Sequence, residues 1–316
     1  MILNSSNLRA AAKRSLEQTS NARRMILIHT GVVLLITLLL SVADFLLEQQ
    51  IGTTGGLSGL GTRSLLSTVQ AVLRLAQIIA LPFWQIGYTY FTLRVAQGEN
   101  SHPSHLLEGF RRFGPVLRLN LLIAGIGFFA VMVSSYVGTM IFMMTPFSAP
   151  LMEAMNSMSG NAQDETATLE LLNAVMSDAA IPLMLIVMAC LLAIGALLFF
   201  RYRMAYLFLM DKPDCGALRA LRFSRIVMRG NCMAVFKIDL QFWWFYLLNV
   251  LLSLICYGDL ILAAVGVPLP IDPTFAYFLF LAIYLAAQLG LYSWKQNEVS
   301  VTYAHAYQAL STPASE

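Results

Sequence analysis

Residues 181–200 read IPLMLIVMACLLAIGALLFF, twenty consecutive positions without a charged side chain. At about 1.5 Å per residue, a helix of this length crosses the roughly 30 Å of hydrocarbon in a bilayer. A helix on the surface of a soluble domain would instead keep a polar stripe toward water. Five further segments share the character of this run: 25–47, 67–91, 116–144, 235–262 and 275–294. Of the 316 residues, 58% are hydrophobic and 12% charged, where a soluble domain carries about 25% charged residues. The apolar runs do not alternate in polarity as barrel strands do, and lipid offers the backbone no partner, so helices are the only reading. The expectation is an all-α polytopic membrane protein in which one domain, 1–316, carries six transmembrane helices. Residues 1–24 form an amphipathic lead and 295–316 a tail. The first apolar run is longer than a typical signal-peptide core, and no small-residue cleavage pattern follows it. Segment 25–47 therefore reads as a retained signal-anchor.

Charge sets the orientation. Arg9, Lys13, Arg14, Arg23 and Arg24 precede the first span, and Arg94, Arg111, Arg112 and Arg118 join the second to the third. Arg201, Arg203, Lys212, Arg219, Arg222, Arg225, Arg229 and Lys237 join the fourth to the fifth, and Lys295 follows the sixth. Thus 18 of the 20 basic residues fall on one side, with Arg63 opposite and Arg74 inside a span. The positive-inside rule places the N-terminus, both basic connections and the C-terminus in the cytoplasm of an inner, plasma membrane.

The basic connections are more than loops. Wound at about 100° per residue, 217–229 gathers Arg219, Arg222, Arg225 and Arg229 on one face, with Phe223, Val227 and Met228 behind them. Asp214 is placed to cap this helix, and Gly230–Asn231 to end it. A shorter elbow is expected over 103–113, and a third amphipathic helix over 8–16. On the other side, 52–61 is a glycine-rich connection, 145–180 is a long acidic loop with a short helix at 166–177, and Pro82 should kink the second span.

Polar residues inside spans are costly and point to function. Gln70, Arg74, Gln77 and Gln85 fall on one side of the second span; Asp239, Tyr246 and Asn249 recur along the fifth; Tyr284 and Gln288 lie on the sixth. Two readings stand: a polar cavity between spans 2, 5 and 6, or helix-to-helix hydrogen bonds in a dry seam. Arg74 lies within snorkelling reach of Asp44 near the outer end of the first span, and an Asp44–Arg74 pair is expected.

No G-x-S-x-G, Walker A or H-E-x-x-H motif is present. The four cysteines form no C-x-x-C pair, His102 and His105 lack a firm third ligand, and Met152, Met155 and Met158 fit an apolar helix face as well as a Cu(I) site. No catalytic residue, cofactor or metal is therefore expected.

The stretch 201–248, RYRMAYLFLMDKPDCGALRALRFSRIVMRGNCMAVFKIDLQFWWFYLL, resembles the bacterial family catalogued as domain of unknown function 975. The likeness rests on Tyr202–Arg203, Asp211–Lys212–Pro213, the helix 218–229, Gly230–Asn231 and Ile238–Asp239–Leu240. NLRAAAKRSLE at 7–17 and RVAQGENSHPSHLLEGFRRF at 94–113 are also similar, while Gln241–Phe242 and the acidic outer loop depart from the pattern. The resemblance implies a six-span fold with interfacial elbows and no assigned activity. The function expected is non-enzymatic, acting in the cell envelope through lipid or an unidentified protein partner, with no nucleic acid. Arg219, Arg222, Arg225 and Arg229 are the candidate contacts to anionic lipid. The alternative is a transporter of a small solute or lipid through the polar cavity.

Overall fold

A computed structural model describes residues 5–19, 21–53, 60–99, 102–149, 165–258 and 272–311. In chain order these form α1 (Ser5–Gln18), α2 (Ala22–Thr53), α3 (Leu60–Ala96), a 3-10 turn (Pro103–Leu107), α4 (Glu108–Arg111), α5 (Phe113–Met143) and α6 (Glu165–Tyr202). There follow α7 (Ala205–Asp211), α8 (Gly216–Met228), α9 (Cys232–Gln241), α10 (Trp243–Cys256), α11 (Pro273–Leu291), a π-helical segment (Tyr292–Gln296) and α12 (Asn297–Ser311). No strand occurs among the described residues. Five helices are long and apolar enough to cross a membrane, and six if the bent pair α9–α10 counts as one span. Met152, Met155 and Met158 lie outside the described residues.

The chain divides into two compact units, one of Met1–Leu117 with Met204–Glu316 and one of Arg118–Arg203. In the second unit α5 and α6 meet at Gly138. A Cβ there would come within 2.9 Å of the Val187 Cα, so glycine is what lets the two backbones approach.

In the first unit the packed core lies at one end of the long helices. Ala12 of α1, Met25 and Ile26 of α2, Tyr88, Phe91 and Val95 of α3, Leu106 and Val301 are all buried together. The middles of the same helices are uncovered: Leu35 is 55% exposed, Leu39 61%, and Leu65 69%. Apolar surface of that extent is stable only where something other than water covers it.

Several local expectations change. The expected fifth span breaks into α9 and α10, which meet at 65°. At Phe242 (φ −109°, ψ 15°) the backbone N–H bonds to the Asp239 carbonyl at 3.0 Å, a tighter i→i−3 turn. Phe242 opens a run of five aromatic residues, which lose rotamer freedom in a helix. The break is held from outside: Gln241 donates to the Ser5 hydroxyl at 2.9 Å, and the Arg9 guanidinium lies 5.2 Å from the centre of the buried Phe242 ring. The expected tail is instead helix to Ser311, with Val299, Val301, Ala304, Ala306 and Tyr307 buried. Its small residues form a face that packs closely along α1 and α3. The helix over 166–177 is continuous with the fourth span in α6, and α3 stays helical through Pro82.

The elbow after α3 is a 3-10 turn and a single α-turn folded back on α3. Its closeness depends on two glycines. A Cβ on Gly87 would stand 1.9 Å from the Leu106 carbonyl oxygen, and one on Gly109 2.0 Å from that of Phe83. Both obstacles are backbone, so neither can swing aside. Gly87→Ala is therefore expected to destabilise the folded chain by about 1–3 kcal/mol or more, as overpacking does. Gly114→Ala, with open space at its Cβ, serves as the control. Thermal unfolding in detergent checks this; equal melting temperatures for the two variants would contradict the packing described.

Candidate functional site

The polar residues picked out inside the spans fall into separate groups. Arg74 Nε donates to Asp44 Oδ2 at 3.3 Å, linking α3 to α2. The pair sits on the uncovered part of the hairpin, with Arg74 56% and Asp44 29% exposed at the side chain. In a medium without water such a pair is held more firmly than at an aqueous surface.

A second group joins α10 to α11 and the π segment. Gln288 Nε2 donates to Asn249 Oδ1 at 3.1 Å, and Asn249 Nδ2 donates to the Tyr292 hydroxyl at 3.1 Å. Gln288 is 4% exposed, and its Oε1 has no hydrogen-bond partner. A third group surrounds the break in the fifth span: the hydroxyls of Tyr246 and Tyr303 both donate to Asp239 Oδ1 and lie 3.1 Å apart. Gln70, Gln77 and Gln85 lie on α3, which packs along α2, α7 and α12; Gln70 and Gln77 are half-buried and Gln85 is exposed. None of the three, nor half-buried Tyr284, takes part in the bonds just described.

At the packed end, charge closes the unit. Glu298, 7% exposed, receives Arg9 Nε at 2.5 Å and Lys295 Nζ at 2.7 Å. Asn297 donates to the Ala22 carbonyl at 2.9 Å and accepts from the Tyr88 hydroxyl at 2.7 Å. Ser15 and His305 are 3.0 Å apart. Asp211, of the Asp-x-Pro turn, takes hydrogen bonds from Tyr307 at 2.9 Å and Gln97 at 3.1 Å. These residues were missed by sequence reasoning, because Arg9 and Glu298 are 289 positions apart and no local pattern marks them. Arg112 is also spent internally, on Glu108 at 2.9 Å and the Met210 carbonyl at 3.0 Å.

The α8 helix differs from its expectation on one face only. Arg219, Arg222, Arg225 and Arg229 are all exposed, as the winding requires. The opposite side packs on protein rather than facing a membrane. Ala217, Ala220, Leu221, Ser224 and Met228 are buried, Phe223 stacks on Phe208 at 3.9 Å, and Ser224 accepts the Met204 N–H at 3.2 Å. Asp214 does not cap the helix; Cys215 holds the N-cap position and makes no side-chain cap bond. The apolar residues that share the arginine face are Leu218, 61% exposed, and Ile226, 71% exposed.

The Asn249–Gln288 bond distinguishes a dry seam from a wet passage. If the seam is dry, Asn249→Leu alone strands a buried amide and costs about 1–3 kcal/mol, while Asn249→Leu with Gln288→Leu recovers most of it. Detergent melts of the two single variants and the double variant measure this. Single variants as stable as the parent would mean that water reaches these groups.

Comparison with known proteins identifies a family and adds no activity. No curated protein and no solved structure matches the chain. A family model described as "Protein of unknown function (DUF975)" matches residues 1–288, nearly the whole of the chain. With that coverage, the chain belongs to the DUF975 family.

Proposed function

We propose that this chain is a non-enzymatic protein of the bacterial inner membrane, with both ends in the cytoplasm, that acts in the envelope by holding anionic lipid at the inner leaflet. The observation that carries the reading is the outer face of α8, where four exposed arginines are interleaved with exposed Leu218 and Ile226. On a solvated helix face two large aliphatic side chains among the charges gain no burial. On a face lying on headgroups they do: the aliphatic groups enter the acyl boundary while guanidinium groups bind phosphate. Each basic residue near an anionic leaflet contributes about 1 kcal/mol. Four of them supply on the order of 4 kcal/mol at low salt, and less as salt screens them.

One observation favours transport as a second reading. The fifth span breaks beside Asp239, and discontinuous spans are a recurring device in transporters. The Asn249–Gln288 variants test whether the polar groups between the fifth and sixth spans line a wet path, which this second reading expects.

The lipid reading is tested by changing Arg219, Arg222, Arg225 and Arg229 together to Lys, which keeps charge and topology but removes the planar guanidinium. Anionic lipid co-purifying with the chain is expected to fall about tenfold, or about 1.4 kcal/mol, with zwitterionic lipid unchanged. Unchanged anionic lipid would leave the arginines a topological role only and overturn the proposal.

A further inference from the structure

A cleft of about 430 Å³ opens between the α1–α2 elbow and the π-helical segment. Its walls include Lys13, Arg23, Thr19, Ser293, Trp294 and Glu298. Glu298 is already neutralised by Arg9 and Lys295, and Glu17 is the other carboxylate at the rim. At the walls Lys13 and Arg23 face Glu17 and Glu298, and Glu298 is already held by two cations from behind the lining. Lys13 and Arg23 are exposed and make no ion pair among the described residues. The cleft is therefore a place where an anion gains two free cationic donors without displacing an existing pair.

Its position says which anion. The apolar run of α2 begins at Met25, just past Arg23, and the apolar run 275–294 ends at Trp294 in the π segment. The cleft lies where both runs stop, at the level of headgroups, and Trp294 is 67% exposed as interfacial tryptophans are. One turn further into each apolar run, Leu27 is 44% exposed and Leu289 37%. Leu27 follows Arg23 by four residues and so shares its face of α2. A ligand with a phosphate and an acyl chain uses both halves of this surface; a soluble phosphate uses only the first. The π segment, a helix irregularity that proteins often keep at functional sites, forms one wall.

We propose that this cleft binds the phosphodiester headgroup of an anionic glycerophospholipid, with Lys13 and Arg23 on the phosphate and the acyl chain along Leu27 and Leu289. The proposal rests on the lipid-binding reading above but assigns a second, built site distinct from the α8 face. Basic pockets between spans at the cytoplasmic side are a known means of holding such headgroups.

The test is native mass spectrometry of the full-length chain, purified in detergent and supplied with phosphatidylglycerol or phosphatidylcholine. The parent is expected to retain phosphatidylglycerol preferentially. Lys13→Gln with Arg23→Gln should lower that retention at least about fivefold, equivalent to about 1 kcal/mol. Because those two charges also bear on insertion, Ser293→Trp, which fills the cleft without changing charge, should lower retention comparably. The α8 Arg→Lys variant should keep the cleft lipid, which separates failure of this site from failure of the α8 reading. Retention by both cleft variants at the parent level would overturn the proposal. So would equal loss in the α8 variant, which leaves the charge unchanged and would mean that the retained lipid sits on the α8 face and not in the cleft. In phosphatidylcholine nanodiscs, inorganic phosphate or glycerol phosphate should bind far more weakly than phosphatidylglycerol; equal binding would assign the cleft to a soluble anion and overturn the lipid source.

Discussion

Hydrocarbon cannot hydrogen-bond, and the organisation of this chain follows from that constraint. Segment 181–200 and its counterparts must be helical to satisfy their backbones, and their side chains need no protein cover because lipid solvates them. The bulk of Leu35, Leu39, Leu65 and Leu197 is accordingly left uncovered. Packing is concentrated where the apolar runs end, because there water and headgroups compete for the polar groups and only protein burial fixes their geometry.

That end of the molecule is built around the pairing of the first and last described helices. Glu298 sits nearly buried between Arg9 and Lys295, a geometry that compensates the cost of removing the carboxylate from water. With α1 so anchored, Ser5 and Arg9 reach the break at Gln241–Phe242, and Asn297 ties the start of α2 to Tyr88 of α3. One set of polar contacts thus joins the bend of the fifth span, the cleft beside the α1–α2 elbow and the closure of the core by α12. The α8 helix joins the same unit through Phe223 on Phe208 and Tyr307, so its arginines are carried on a rigid support. A stripe of charge on such a support holds a fixed register toward whatever it meets.

The spans were legible because their signal is local: about twenty apolar residues in a row, with basic residues gathered at alternate connections. The Asp44–Arg74 pair was legible for a related reason. Two consecutive spans must form a hairpin, and two opposite charges at similar depth have few other partners. The arginine stripe of α8 followed from helical winding alone. What covers its back did not, since nothing within 217–229 distinguishes a membrane from Phe208 as the surface under Phe223. The break at Phe242 had a signal that the hydropathy pattern hid, namely five consecutive aromatic residues at the position where the family pattern also lapses. The α12 helix was hidden further, because Ala304 and Ala306 on its buried face give a weak apolar signal and the Arg9 partner of Glu298 lies 289 positions away. Long-range polar closure is the part of this fold that composition and periodicity do not carry.

An inner-leaflet lipid role requires that the α8 face lie on the cytoplasmic side of the membrane. The direct measurement is labelling of a cysteine at Leu218, an exposed position on the arginine face, by an impermeant thiol reagent in a background without native cysteines. A cysteine at Met144, beyond the end of α5, serves as the opposite-side control. The residue at 144 is expected to react in intact cells, and the one at 218 only after the membrane is permeabilised. Labelling at 218 in intact cells would place the arginines outside and contradict both the orientation and the inner-leaflet lipid role.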